Sequence, residues 1–325
     1  ELATMPADIL DTRLTDYVSD GVFTGHYEGP GRGELEGSFE SNLAAIFARN
    51  DTPRLSGIQI KAPMFLAADG ALLPSTGQPF THILKPAGTS GFDHLPVIEW
   101  QALTLGAAVG FETPTMALVA MPDRMPPALI VERFDIRSGG HDTRLLALED
   151  FTSVLGVATD AKYDGTIERV ARALRPLSTD PDADLILILK RALFAWMIAD
   201  GDMHLKNLAL LKIAETRGDH FTSVRLAPLY DAVTTRVFPR LARDRMALKL
   251  NGKDDRLRRA DFKSLAATAG LRAVDAGAAI DDLMERLATG VEDVTPPPLI
   301  TAGSPAAEAM AQMRGLIRQR IESFA

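Results

Sequence analysis

The chain has 325 residues, 46% of them apolar, so it can bury a sizeable core and has room for two domains or two lobes. It contains no cysteine, which excludes disulfides, thiolate zinc sites and a cysteine nucleophile and favours a cytoplasmic location. A formal charge of −8 argues against a general nucleic-acid coat, and the longest apolar stretch, Leu185 to Ala199, is broken by Lys190 and Arg191, which argues against a membrane span.

Residues 1–53 carry the run Gly29-Pro30-Gly31-Arg32-Gly33 and few periodic apolar positions, and they are expected to form a short entry segment. Glu1 in place of Met leaves the native N-terminus and any targeting segment open. From Leu55 to Leu84, short apolar runs (Gly57 to Ile60, Met64 to Leu66, His82 to Leu84) alternate with turn signals, a pattern that predicts antiparallel strands. Ile98, Ala102, Leu105 and Val109 recur at helical spacing, which predicts a helix over 97–109 with Gly110 as its C-cap. A strand over Ala128 to Val131 follows the Pro-rich turn at 122–127. Past about residue 140 helices dominate, expected at 167–174, 183–199, 261–269, 278–287 and 305–323, with Pro296-Pro297-Pro298 as a rigid turn. Strands gather early and helices late, which argues for an α+β fold with a sheet-rich first lobe and a helical second lobe.

The most informative segment is Asp200-Gly201-Asp202-Met203-His204-Leu205-Lys206-Asn207, at the end of a strongly apolar helix. Asp202 and Asn207, five positions apart, match the kinase catalytic loop, in which Asp accepts the nucleophile's proton and Asn holds Mg²⁺. Asp and Asn are also common in turns and caps, so the pair alone does not decide. Leu229-Tyr230-Asp231 follows after two strand-like runs, Leu208 to Ile213 and Phe221 to Leu226, and Asp231 supplies a second hard oxygen ligand of the kind magnesium takes beside substrate phosphates. Lys85, at the end of the strand before Pro86, is placed to hold nucleotide phosphates, with Glu99 as its candidate carboxylate partner. Neither G-x-x-x-x-G-K-[ST] nor G-x-G-x-x-G occurs at Leu55 to Lys61, so phosphate cradling would fall to the Gly57 backbone and to Lys61.

Five segments in this order resemble the HipA family of bacterial toxin kinases, especially its compact HipT branch: Ser56 to Lys61, Phe80 to Pro86, Val131 to Asp135, Asp202 to Asn207 and Pro228 to Asp231. The resemblance implies a bilobal, protein-kinase-like fold, divided as an entry segment (1–53), a sheet-rich nucleotide-binding lobe with one packed helix (54–135) and a helical catalytic lobe (136–325). It implies a serine/threonine protein kinase that uses ATP and Mg²⁺, with Asp202 as catalytic base, Asn207 and Asp231 as metal ligands, Lys85 on the phosphates and His204 and Lys61 near them. Glu132 to Phe134 would form the hinge beside adenine, and Ser56 would be the autophosphorylation site. The implied partners are a protein substrate such as an aminoacyl-tRNA synthetase, a HipB-like DNA-binding antitoxin and a small separate N-terminal subdomain protein, with no direct nucleic-acid contact.

The chain departs from the family pattern in three places. Arg54 stands at the first serine of the S-x-S arrangement of the HipT branch, Val97-Ile98-Glu99 keeps only the last acid of E-N-E, and the extra N-terminal subdomain of long relatives is not recognisable in 1–53. The rival readings are a small-molecule phosphotransferase of the antibiotic or choline type and an ATP-binding pseudokinase.

Overall fold

The computed structural model describes residues 13–14, 18–19, 22–23, 61–66, 72–74, 80–87, 91–121, 125–139, 142–214 and 220–324. Two compact units divide the chain: Glu1–Trp100 with Pro114–Leu145 and Pro296–Glu308, and Gln101–Thr113 with Leu146–Thr295 and Ala309–Ala325.

The first unit is built on β1 (Val18–Ser19), β2 (Val22–Phe23), β3 (Ala62–Leu66), β4 (Leu72–Pro74), β5 (His82–Lys85), β6 (Met116–Val119) and β7 (Ala128–Glu132). They form one sheet in the order β1-β2-β6-β7-β5-β3-β4, antiparallel except for the β2–β6 pair. Alternation sets its inner face. Met64, Leu66, Leu72, Leu84, Val119 and Ile130 are fully or almost fully buried in one cluster with Leu14. Pro63, which has no N–H to donate, lies beyond the register of β4, so β3 pairs there on the β5 side alone. A β-hairpin, β8 (Ile136–Gly139) with β9 (Asp142–Leu145), completes the strands of this unit among the described residues.

Helix α1 (Leu95–Ala108) begins two residues earlier than its periodicity predicts, and the boundary between the units falls within it. It ends as expected: Gly110 adopts a positive φ of 96° while its N–H reaches Ala107 O and the N–H of Phe111 reaches Gly106 O.

The second unit holds the three-stranded antiparallel sheet β10 (Ala147–Asp150), β11 (Ala209–Ile213) and β12 (Ser223–Leu226), the short α2 (Phe151–Val154), and the helices α3 (Ile167–Leu177), α4 (Pro181–Ile198), α5 (Arg259–Thr268), α6 (Ala273–Asp293) and α7 (Pro305–Phe324). Helix α6 is longer than predicted at both ends. Gly277 and Gly290, which interrupt the pattern, sit inside it, and a Cβ on Gly290 would already lie 3.3 Å from Leu105 Cδ1. The Pro-rich segment after α6 turns as expected, with Ile300 N–H bonded to Pro297 O. The fold is α+β, with a sheet-rich first unit and a helix-rich second, as expected. No helix among the described residues is long and apolar enough to cross a membrane.

Candidate active site

In the first unit, β5 ends at Lys85 and α1 presents Glu99 one turn in from its start. The two side chains form an ion pair and are only 4% and 5% exposed. Burying both charges is tolerable because each neutralises the other. At the start of β5, His82 shares a 2.7 Å hydrogen bond between its Nδ1 and Thr81 Oγ1, while its Nε2 is buried without a partner among the described residues. Burial, reinforced by the charge of Arg13, lowers the His82 pKa to about 4.

The segment expected to serve as a hinge, Glu132 to Phe134, is braced in a way that its sequence does not announce. Arg133 makes a two-pronged ion pair with Asp135 at 2.9 and 2.7 Å, lies 4.2 Å over the Phe80 ring and bonds Phe80 O. Glu132 pairs with Arg13 at 2.9 Å. The N–H of Glu132 bonds Thr115 O and that of Arg133 bonds Thr81 O, so both donors are committed inside the sheet. Lys61 lies half-buried just ahead of β3, and Phe134 half-buried in the turn after β7. Ser56 and Gly57 lie outside the described residues.

In the second unit the site begins with α4. Asp180 caps its N-terminus by accepting from Ala183 N–H, Pro181 fills the first turn, and every residue from Arg191 to its end is buried. The helix stops at Ala199, which takes the left-handed conformation (φ 56°) usually left to glycine. That turn delivers Asp200 into the interior, where it is 3% exposed. Its carboxylate accepts the N–H of Asp202 at 2.9 Å and also a bond from the backbone of Val233. Burial, with the nearby charge of Asp202, pushes the Asp200 carboxyl well above the usual range. Gly201 is needed for space, since a Cβ there would lie 2.0 Å from Asp244 Oδ2 and 2.6 Å from Thr235 Oγ1.

Asp202 emerges from this brace with its side chain 44% exposed. The phenol of Tyr163 donates to its Oδ1 at 2.8 Å, and His204 Nε2 lies 3.7 Å from the same oxygen. Tyr163 meets the His204 ring edge to face at 5.1 Å and carries Lys162 Nζ at 5.0 Å from its own ring centre. Burial and the hydrogen bond to Asp202 push the phenol up, so it stays a donor. Burial lowers the His204 imidazole, and the Asp202 charge acts against that.

Asn207 donates a side-chain N–H to Asp202 O at 2.8 Å, which turns its amide nitrogen toward the loop backbone. Tyr230 donates its phenol to Lys206 O at 3.0 Å, stitching the 202–207 loop to the 229–231 segment. Asp231 itself has a positive φ of 51°, an uncommon backbone conformation for a residue with a side chain. Asn207 and Asp231 line one cavity of about 10 Å³, together with Asp200, Tyr230 and the buried Arg191. Among the described residues no group of three or more His, Cys, Asp or Glu side chains could hold a metal. The carboxylate of Asp231 and the side-chain amide of Asn207 carry hard oxygens of the kind magnesium takes beside phosphates and water.

The predicted residues Asp202, His204, Asn207 and Asp231 are therefore gathered in the second unit, and Lys85 with Glu99 in the first. Sequence reasoning missed Tyr163, 39 residues ahead of Asp202, and Asp200, whose role is to hold the loop's backbone.

Comparison with known proteins places these features in context. A model of the HipA-like C-terminal domain matches residues 54–291. Two proteins of Sinorhizobium fredii (strain NBRC 101917 / NGR234) are similar in sequence. The protein named Putative kinase Y4mE is 31% identical over 201 residues, 60% of this chain and 45% of its own length. The protein named Putative kinase Y4dM is 29% identical over 212 residues, 60% of this chain and 49% of its own. The chain thus spans about half the length of the curated relatives it matches. Among solved structures, the HipA, HipB and operator DNA complex of the Shewanella oneidensis MR-1 toxin–antitoxin system superposes with a TM-score of 0.69 at 18% identity, over 86% of this chain and 66% of that one. The Helicobacter pylori proinflammatory kinase CtkA gives 0.50 at 13% identity, over 74% and 88%.

Proposed function

The chain belongs to the HipA-like C-terminal domain family, and we propose that it is an ATP- and magnesium-dependent serine/threonine protein kinase acting as the toxin of a HipA/HipT-type toxin–antitoxin system. The observation that carries this reading is the Asp202 loop. One carboxylate reaches solvent from a loop whose backbone is tied down by Asp200, Asn207 and Tyr230, beside a cavity lined by Asn207 and Asp231.

In this reading Asp202 accepts the proton of the acceptor hydroxyl as its oxygen attacks the γ-phosphorus of ATP, and the bond to the β,γ-bridging oxygen breaks to release ADP. Asn207 and Asp231 hold Mg²⁺, which would neutralise charge developing on the phosphates. Lys85, kept in place by Glu99, binds the nucleotide phosphates, with Lys61, His204 and the Gly57 backbone near them, and the Glu132 to Phe134 segment borders adenine. Ser56 is the proposed autophosphorylation site, where a dianionic phosphate would oppose ATP binding by repulsion. The proposed partners are an aminoacyl-tRNA synthetase or another translation protein as substrate, a HipB-like antitoxin that supplies the DNA contacts, and a small separate protein equivalent to the N-terminal subdomain of long relatives. A cytoplasmic location goes with these partners.

The test is transfer of label from γ-labelled ATP with Mg²⁺ to the chain and to a bacterial lysate, comparing the wild type with Asp202→Asn and mapping labelled residues by mass spectrometry. Label on serine or threonine that vanishes in the variant supports the reading. Label on small molecules alone, or equal label in the variant, overturns it.

A further inference from the structure

A carboxylate that takes a proton from a substrate hydroxyl has to present one of its two oxygens to that hydroxyl, and on an exposed loop nothing intrinsic to the side chain decides which one. Here the choice is already made. Tyr163 Oη donates to Asp202 Oδ1 at 2.8 Å, and His204 Nε2 stands 3.7 Å from that same oxygen. Oδ1 is engaged by the protein, which leaves Oδ2 as the oxygen available to a substrate.

The phenol is held as firmly as its target. Its ring packs edge to face on the largely buried His204, Lys162 Nζ lies 5.0 Å from its ring centre, and the carbonyl of Lys162 accepts the N–H of Leu205, so the 162–163 segment is tied to the 202–207 loop. With 42% of its surface exposed, Tyr163 is poorly explained as a core residue. Among the described residues its hydroxyl meets one side-chain acceptor, the carboxylate of Asp202.

We propose that Tyr163 is a positioning residue for phosphoryl transfer, fixing the rotation of the Asp202 carboxylate so that Oδ2 receives the proton of the acceptor hydroxyl. This rests on the reading of Asp202 as the catalytic base. Loss of the phenol hydroxyl frees the carboxylate to rotate, and fewer encounters meet the base in productive geometry. ATP binding, which does not involve the acceptor hydroxyl, is untouched.

The experiment compares wild type, Tyr163→Phe, Tyr163→Ala and Asp202→Asn for initial rates of label transfer from γ-labelled ATP to lysate protein, together with the KM for ATP and the melting temperature. Tyr163→Phe keeps the ring against His204 and removes only the hydroxyl. The expected result is a kcat about tenfold lower in Tyr163→Phe, with KM for ATP and melting temperature unchanged. Full activity in Tyr163→Phe with loss only in Tyr163→Ala assigns Tyr163 to packing and overturns the inference while leaving the kinase reading intact. Retained activity in Asp202→Asn, or no transfer by the wild type, overturns the kinase reading and this inference with it.

Discussion

Lys85 and Glu99, fourteen residues apart in the chain, form an ion pair from which solvent is almost excluded. Removing one partner takes a buried counter-charge away from the other. Lys85→Met or Glu99→Leu alone is therefore expected to cost about 3–5 kcal/mol in urea unfolding. The double variant, with both charges gone, should recover most of that stability. Phosphate transfer should not follow: without the lysine it stays down by about a hundredfold even where folding is restored. A double variant that regains activity would show the pair to be structural only.

Gly201 is the tightest point of the loop. Gly201→Ala would place a methyl group within the side chains of Asp244 and Thr235, and the loop or those neighbours have to move. The expected cost is about 1–3 kcal/mol of stability, as for other overpacked sites, with a larger loss of transfer than of ATP binding. Thermal melting, nucleotide binding and label transfer on one preparation measure all three.

Acid should weaken the first unit through His82. Its folded pKa is depressed to about 4, whereas an unfolded imidazole takes a proton near 6.5. The stability that the neutral form contributes is complete above pH 6.5, falls as pH drops from there toward 4, and has no further slope below 4. The span corresponds to roughly 3 kcal/mol. In melts across this range the wild type should show that slope and His82→Gln should flatten it. An unchanged slope in the variant would assign the acid sensitivity to other groups.

Ala199 ends α4 in a left-handed conformation that costs an L-residue about 1–2 kcal/mol. Ala199→Gly removes that cost against a smaller penalty from the greater conformational entropy of the unfolded chain, so the melting temperature should rise by about 2 °C. A fall would mean that the methyl group, which is buried, contributes more by packing than it costs in strain.

The long helices and the central strands could be read from the chain because their apolar positions repeat over several turns or pairs; α4 and α7 begin and end within two residues of their predicted limits. The elements that escaped notice are short. Met116–Val119 is four residues long and follows a proline, and β8 and β9 are polar strands whose pairing with each other replaces an apolar face. At the site, Asp202, Asn207 and Asp231 were visible as a spacing. Tyr163 was not, because its hydrogen bond spans 39 residues and leaves no local pattern. The Arg133–Asp135 clamp lies in plain view two residues apart, but only the Phe80 ring beneath the guanidinium shows why it is there.

Between Asn207 and Asp231 the chain runs out along β11 and back along β12, paired residue by residue from Leu210 with Leu226 to Ile213 with Ser223. The ladder, and not the length of the connection at its far end, brings Asp231 back to the loop. A peptide tag or a small fluorescent domain spliced between Ile213 and Ser223 would be carried on a ready-made stalk. Such a graft would give a labelled protein whose readout could be followed in living cells.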